Sequence, residues 1–186
     1  EFIEIDWDNK FFELDAKAID CVWNGMTITP EALANASVSD AYVKNAQVVV
    51  MASDKLADYA TVESLKDLEF AAEAGSAGEK ALKENGLNCT AVSAQTDALR
   101  EVKSGAVDAC VIDITMANAM TGEGTSYAEL GYALELTSEE YGIAFRKGSD
   151  FTAKVNEVIR TLKENGKLDV GGAVGHGLLT MIKDMG

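Results

Sequence analysis

Two runs rich in consecutive apolar residues, at positions 47–51 and 109–112, constrain the fold more than any other feature of the sequence. Successive side chains of a strand point to opposite sides, so a strand that is apolar at neighbouring positions is typical of a sheet buried on both faces. Strand patterns and helix patterns alternate along the rest of the chain. We therefore predict an α/β fold in which most strands pair in parallel.

Periodicity and capping residues predict the boundaries of the other elements. Pro30 is expected at the first position of a short helical turn, where its missing N–H is harmless. Ser76, with Glu79 three residues later, has the pattern of a capping box at the start of a helix. Ser149 or Asp150 is expected to cap a last amphipathic helix. Further helices are predicted near residues 11–18, 62–68, 96–104 and 114–120, and further strands near residues 19–23, 69–73, 89–93, 133–136 and 141–146.

The strand patterns at residues 47–51 and 141–145 lie far apart in the sequence and indicate how the chain is divided. A middle block entered by one strand and left by the other is how a two-lobed protein with two hinge strands is connected. We predict the following segments: a partial first lobe at 1–47, a second lobe at 48–140, a returning strand and helix at 141–168, and a glycine-rich tail at 169–186, with a turn and a short apolar helix. A single doubly wound domain would show a similar pattern, so that alternative stays open here.

The balance of charge bears on the class of partner. The chain has 16 Lys and Arg against 31 Asp and Glu, a formal net charge of −15. Nucleic-acid backbones and anionic lipid surfaces are bound by clustered positive charge, so this balance argues against both partners. A solvated acidic surface is a more common cause of such a charge than a cation site.

The cysteine and histidine content gives little basis for a metal site or a cofactor. Cys21, Cys89 and Cys110 contain no CxxC pair, and the single His176 does not complete a His-rich zinc site. Cys21 and Cys110 lie in apolar stretches, where a cysteine usually behaves as a small core residue. We therefore expect no metal and no cofactor.

The sequence contains no membrane-spanning pattern, because no stretch approaches the ~20 apolar residues that cross a bilayer. The chain opens directly in a strand-like run at residues 1–5, with no signal-peptide pattern before it. We therefore expect the sequence to be an excerpt of a longer chain.

Short motifs in a consistent order and spacing resemble a known family. They are WDNK at 7–10, ID at 19–20, GMTITPE at 25–31, VSDAY at 38–42, VESLKDL at 62–68, EAGSAGE at 73–79, GAVDA at 105–109, VID at 111–113 and YGIAFRKGS at 141–149. Together they resemble the type II extracytoplasmic solute-binding proteins of family 3, which serve polar amino acid ABC importers. The similarity covers roughly residues 1–168.

The resemblance implies a periplasmic-binding-protein-like type II fold, with two Rossmann-like α/β lobes joined by two hinge strands. A small polar solute, most often an amino acid, is then held in the cleft and delivered to an ABC transporter permease. The implied location is extracytoplasmic, either periplasmic or lipid-anchored at the cell surface. The family's opening strand and helix have no counterpart here, so we expect an incomplete first lobe. Such a lobe is expected to form a homo-oligomer or to be covered by the chain's own tail.

The resemblance also assigns ligand-binding residues in the second lobe. Ser76 and the backbone N–H of Ala77 stand where the family contacts the ligand carboxylate, which suits the free N–H groups and partial positive charge of a helix N-terminus. Asp113 matches the acceptor for the ligand α-ammonium, and it follows a buried strand, where open α/β sheets bind ligands. From the residues alone, an ordinary helix cap explains each position as well, so both interpretations stay open.

Further matches lie in both lobes. Asn24, Gly25 and Thr27 correspond to the first-lobe contact turn, and Glu73 corresponds to a specificity position where an acid would select a cationic side chain. A tight turn and a solvated charge at a strand end are the respective alternatives. Ala32 stands where the family usually has an Arg that forks onto the ligand carboxylate, a charge-assisted contact worth roughly 1.5–3 kcal/mol. Either another group compensates for the missing Arg, or the ligand lacks a free carboxylate, or the chain no longer binds amino acids well, so this departure bears on the class of ligand more than on the fold.

Two other functions are compatible with the same scaffold. An enzyme of the cyclohexadienyl dehydratase type needs a positioned general acid, for which Glu73 or Asp113 would serve, although no second partner is identified. A ligand-sensing domain of a receptor would use the same fold. We expect binding rather than catalysis.

Overall fold

The structure is a computed structural model that describes residues 1–168. The turn and helix predicted for the tail, and His176, lie outside the described residues. The chain forms two compact units, the first made of Glu1–Lys44 and the segment from Glu139 onward, the second of Asn45–Ser138. The chain therefore passes from one unit to the other twice.

The elements are numbered in chain order. The helices are α1 (Lys10–Asp15), α2 (Pro30–Asn35), α3 (Ala77–Glu84), α4 (Gln95–Ser104), α5 (Ile114–Met120) and α6 (Phe151–Glu164). The strands are β1 (Cys21–Val22), β2 (Ser37–Val38), β3 (Val43–Asn45), β4 (Gln47–Ala52), β5 (Glu69–Glu73), β6 (Asn88–Val92), β7 (Ala109–Asp113), β8 (Leu130–Glu135), β9 (Glu139–Tyr141) and β10 (Ala144–Phe145). Single turns of 3₁₀ helix lie at Trp7–Asn9 and Val62–Leu65.

The first unit is built on short strands. A three-stranded antiparallel sheet has the order β1-β10-β2, and β3 pairs with β9. The last helix, α6, is amphipathic as predicted, and it buries Val155, Ile159 and Leu162 in one apolar cluster of this unit. Among the described residues of this unit, five large apolar side chains are exposed: Phe2, Ile3, Phe12, Leu33 and Phe151.

The second unit is a five-stranded sheet in the order β6-β5-β7-β4-β8. Alternate residues of its central strands enter two different apolar clusters, so that Val48 and Ile112 contribute to one, and Val49 and Val111 to the other. The prediction that both runs of apolar residues are strands buried on both faces is confirmed, because these residues are at most 1% exposed.

The prediction of mostly parallel pairing is wrong. β5 pairs in parallel with β6 and β7, but β4 is antiparallel to both β7 and β8, and the three-stranded sheet of the first unit is antiparallel. Helical crossovers link β5 to β6 and β6 to β7, and such connections produce parallel neighbours. No helical crossover joins β4 to either neighbour. The alternation of strand and helix patterns along the sequence gives no information about the relative direction of strands that are not consecutive.

The predicted strand at residues 141–146 is two short strands. β9 ends at Tyr141 and β10 begins at Ala144. Between them, Ile143 bonds to Ser39 rather than to a ladder: its N–H donates to the Ser39 hydroxyl at 2.9 Å, and its carbonyl accepts from the Ser39 N–H at 2.9 Å. A side-chain acceptor therefore replaces a strand neighbour at this point, which a pattern of apolar residues does not show.

The predicted capping residues lie at helix starts, but at α6 the residue in the N-cap position is not the one that makes the capping bond. Pro30 is the first residue of α2, after the cap Thr29. Asp150 occupies the N-cap position of α6 without a side-chain bond, and the Ser149 hydroxyl accepts from the Phe151 N–H at 3.2 Å instead.

Within residues 1–168, no helix is both long and apolar enough to span a membrane.

Candidate functional site

Three parallel strands of the second unit end at the same edge of its sheet. β5 ends at Glu73, β6 at Val92 and β7 at Asp113. The carboxyl ends of parallel strands are where open α/β sheets bind ligands. The structure therefore brings Glu73, Asp113 and the loop that follows β5, with Ser76 and Ala77, to one edge.

The loop after β5 forms the N-terminus of α3. Gly75 has a φ of +69°, which favours glycine, and it leads into the cap Ser76, whose hydroxyl oxygen accepts from the Glu79 N–H at 3.2 Å. The predicted capping box is shifted by one residue, because Glu79 Oε2 accepts from the Gly75 N–H at 2.9 Å and not from that of Ser76. The hydrogen bond and charge of Lys83, with the Gly75 N–H, hold the pKa of Glu79 below its ordinary value.

Two hydrogen-bond donors at this helix start have no acceptor within residues 1–168. Ser76 donates its main-chain N–H to the Glu73 carbonyl at 3.2 Å, but its hydroxyl only accepts in the bonds described, which leaves the O–H available. The Ala77 N–H is one of the N–H groups that a helix cannot satisfy internally. Both groups are half-buried. They can donate to an anion together with the positive end of the helix dipole.

Gly78 lets α3 approach the sheet closely. A Cβ atom at this position would lie 3.0 Å from Gln47 Oε1 and 3.0 Å from the Val111 carbonyl oxygen. Gln47 is only 2% exposed and lies on β4 directly opposite Asp113. One buried side chain therefore lies against both the start of α3 and Asp113.

Three amide side chains hold the Asp113 carboxylate. Its Oδ1 accepts from Asn45 Nδ2 at 3.0 Å and from Gln47 Nε2 at 2.7 Å, and its Oδ2 accepts from Gln95 Nε2 at 2.7 Å. Gln95 Oε1 also accepts from the Asp113 N–H at 3.1 Å. Asp113 occupies the N-cap position of α5 but makes no side-chain capping bond, so the capping alternative does not account for its position.

The Asp113 carboxylate has no cationic partner within residues 1–168, since none of the ion pairs of that region includes it. It is half-buried, and a partly desolvated carboxylate is stabilised by a compensating positive charge. The arrangement is therefore suited to accept a cation. In the same region, no three His, Cys, Asp or Glu side chains are grouped so that they could hold a metal ion.

The sequence patterns did not identify the three amides around Asp113. Asn45 and Gln47 flank the start of a strand that is otherwise apolar, and both are at most 4% exposed. A buried polar residue at the edge of an apolar run is a signal that could have found them, because buried polar groups require hydrogen-bond partners. Gln95 begins α4 without a capping bond, and its sequence context carries no such signal.

The predicted contact turn of the first unit follows β1. Asn24 and Gly25 both have positive φ, at 87° and 76°, and Asn is one of the few other residues that tolerate this region. Thr27 forms an isolated antiparallel bridge with Tyr141 and is half-buried. The structure thus places Asn24 and Gly25 in one turn and Thr27 in the bridge that follows it, and their role in ligand binding stays a prediction.

Ala32 lies inside the first unit rather than on its surface. It is 0% exposed and belongs to an apolar cluster with Leu14, Val22 and Met26. Its N–H donates to the hydroxyl of the cap Thr29 at 3.1 Å. The methyl group at this position therefore has a packing role.

The two α/β units and the donors and acceptors at the edge of the second sheet define a class of two-lobed ligand-binding proteins. Comparison with known proteins agrees: the chain belongs to the bacterial extracellular solute-binding proteins, family 3, whose family model matches residues 1–170. The predictions of the family and of a periplasmic-binding-protein-like type II fold are confirmed, and the family's extracellular location agrees with the location predicted.

Individual relatives are similar over most of this chain. The arginine-binding extracellular protein ArtP of Bacillus subtilis is 31% identical over 91% of the chain and 68% of its own length. A probable histidine-binding protein of Neisseria gonorrhoeae is 27% identical over 91% of the chain and 65% of its own length. The chain thus spans about two thirds of these curated relatives.

A solved structure shows the same fold. The ancestral amino acid-binding protein AncCDT-1, described as a precursor of cyclohexadienyl dehydratase, superposes with a TM-score of 0.78 at 30% identity, covering 90% of this chain and 73% of the other. The curated relatives above are named as binding proteins and not as enzymes.

Proposed function

We propose that this chain binds an amino acid with a positively charged side chain, outside the cytoplasm, for delivery to an ABC importer. The observation that carries the proposal is the Asp113 carboxylate, which three amides hold at the carboxyl edge of the sheet without a cationic partner in the described residues. The α-ammonium of an amino acid supplies that charge.

The start of α3 is suited to bind the other charged group of an amino acid, its carboxylate. The Ser76 hydroxyl and the Ala77 N–H are available donors at the positive end of a helix dipole, which suits the ligand carboxylate. Since Gln47 bonds to Asp113 and lies close to Gly78 at the start of α3, the proposed ammonium and carboxylate contacts lie within one small region of the second unit. Asn24, Gly25 and Thr27 are proposed as further contacts from the first unit.

The charge of Glu73 favours a ligand with a basic side chain over one with a neutral side chain. It is half-buried at the same sheet edge, where its carboxylate would form charge-assisted bonds with a guanidinium or ammonium group. The names of the relatives, arginine-binding and histidine-binding, agree with this preference. We therefore expect Glu73→Gln to reduce the preference for L-arginine over L-glutamine.

A thermal-shift screen against the twenty amino acids and common polyamines tests the proposal. A ligand at a hundred times its Kd stabilises the folded state by roughly 2.7 kcal/mol. We expect the largest shift with a basic amino acid, and its loss in Asp113→Ala. Asp67→Ala is the matched control, because Asp67 is an exposed acid of the same unit. No shift with any basic amino acid, or an equal shift in Asp113→Ala, would refute the proposal.

The other expected properties of the chain stay predictions. We propose binding without catalysis, and turnover of a prephenate-like substrate would contradict this. The ABC transporter permease is the proposed partner. Association with a second copy is supported by the five exposed apolar side chains of the first unit, and sedimentation at two protein concentrations would test it.

A further inference from the structure

Gln95 is bonded to Asp113 through both ends of its side-chain amide. Its Nε2 donates to Asp113 Oδ2 at 2.7 Å, and its Oε1 accepts from the Asp113 main-chain N–H at 3.1 Å. A carboxylate only accepts and a main-chain N–H only donates, so the orientation of the Gln95 amide is fixed by its partners. The two bonds together hold the side chain of Asp113 relative to its own backbone.

Among residues 1–168, the hydrogen bonds around Asp113 leave one acceptor position unused. An ionised carboxylate offers about four lone-pair sites, two on each oxygen. Asn45 and Gln47 use both sites on Oδ1, and Gln95 uses one on Oδ2. A cation that approaches Asp113 therefore meets one open site, on Oδ2, next to the bond from Gln95.

We infer that Gln95 is a positioning residue that fixes Asp113 so that a single acceptor site, on Oδ2, faces the ligand. The inference rests on the proposed function, which gives the α-ammonium to Asp113, and deepens it by naming the residue that orients this carboxylate. A guanidinium forks onto two carboxylate oxygens, and Oδ1 has no open site for the second bond. An ammonium needs only one acceptor, so the single open site agrees with the α-ammonium contact already proposed for Asp113, and the basic side chain lies elsewhere.

Isothermal titration with two probes tests this role. The probes are L-arginine and its deamino analogue, which keeps the guanidinium and the carboxylate but lacks the α-ammonium; its affinity is measured by displacement. The proteins are wild type, Gln95→Leu, Asp113→Asn and, as a matched control, Thr96→Ala. Thr96 is the next residue of α4 and is half-buried, as Gln95 is.

We expect Gln95→Leu to weaken L-arginine binding by about tenfold, the low end for a bond to a charged group, and to leave the deamino analogue unchanged. Asp113→Asn should give the same pattern with a larger loss for L-arginine. Thr96→Ala should bind both probes as wild type does. A purely structural role for Gln95 would instead weaken both probes equally.

The outcomes separate this inference from the proposed function. If Asp113→Asn weakens L-arginine selectively but Gln95→Leu does not, or weakens both probes equally, the positioning role is overturned and the proposed function stands. If wild type binds no basic amino acid, or if Asp113→Asn binds L-arginine unchanged, the proposed function fails and this inference fails with it.

Discussion

The bonds between Gln95 and Asp113 predict a stability effect that needs no ligand. In Asp113→Asn, the introduced amide oxygen must face Asn45 and Gln47, which are both donors, so the introduced NH₂ faces Gln95 Nε2. If the Gln95 amide turns over, its Nε2 meets the main-chain N–H of residue 113 instead. One donor–donor contact remains in either arrangement, and we expect a loss of about 1–3 kcal/mol in the free energy of unfolding.

Gln95→Glu destabilises the protein for a different reason, and combining it with Asp113→Asn should restore stability in both cases. Gln95→Glu places a second carboxylate 2.7 Å from Asp113 Oδ2, and like charges at this distance destabilise the folded state. In the double variant, which carries both Gln95→Glu and Asp113→Asn, the introduced carboxylate at position 95 accepts from both the introduced amide and the main-chain N–H of residue 113. Every donor then has an acceptor and the net charge is unchanged. The two losses should therefore cancel in large part.

Urea unfolding of the four proteins at pH 7 measures this coupling. We expect the double variant to be more stable than the sum of the single losses predicts, by about 1.5–3 kcal/mol. Independent sites add within about 0.5 kcal/mol, so additivity at that level would refute the described bonds of Gln95 and Asp113.

Three further predictions concern other parts of the second unit. Gly78→Ala should destabilise the fold by about 1–3 kcal/mol in urea unfolding, because the new Cβ meets the Val111 carbonyl at 3.0 Å; an unchanged midpoint would contradict this close approach. The pKa of Glu79 is lowered chiefly by Lys83. The ionised Glu79 carboxylate therefore stabilises the folded state above its ordinary pKa near 4.3, and this stabilisation is lost as pH falls through the lowered value. Glu79→Gln should be less stable than wild type at pH 7, and the difference should shrink below about pH 4. Burial raises the pKa of Cys110 to about 12, so in a variant whose other cysteines are Ala, iodoacetamide should label Cys110 in urea but not in the native protein at pH 8, and rapid native labelling would contradict its burial.

Local patterns predicted the elements of the second unit well. β5 and α5 have the predicted bounds, and β4 extends one residue beyond its prediction, because strong apolar runs and helix starts depend on neighbouring residues. The direction of β4 was not predictable in this way. Its antiparallel partners lie more than fifty residues along the chain, and only the packed sheet determines their direction.

The surroundings of Asp113 show a second limit of sequence analysis. The resemblance identified Asp113, but its amide partners lie 68, 66 and 18 residues away in the sequence. The register of β4 against β7 places Gln47 opposite Asp113, and the apolar residues of both strands determine that register. The amides are therefore a consequence of core packing, which becomes visible only when the sheet is assembled.

Ala32 is where the resemblance and the structure predict opposite results. If Ala32 had only replaced a ligand-binding Arg, Ala32→Arg would strengthen L-arginine binding by about ten- to hundredfold. The structure instead has Ala32 at 0% exposure in an apolar cluster, where a longer side chain overpacks the core or forces a charged group into it. We therefore expect Ala32→Arg to lower the Tm without increasing the shift given by L-arginine, whereas Leu33→Arg, at the exposed neighbouring position, should change neither. Stronger binding by Ala32→Arg would show that the side chain at this position reaches the ligand and that the packing role is secondary.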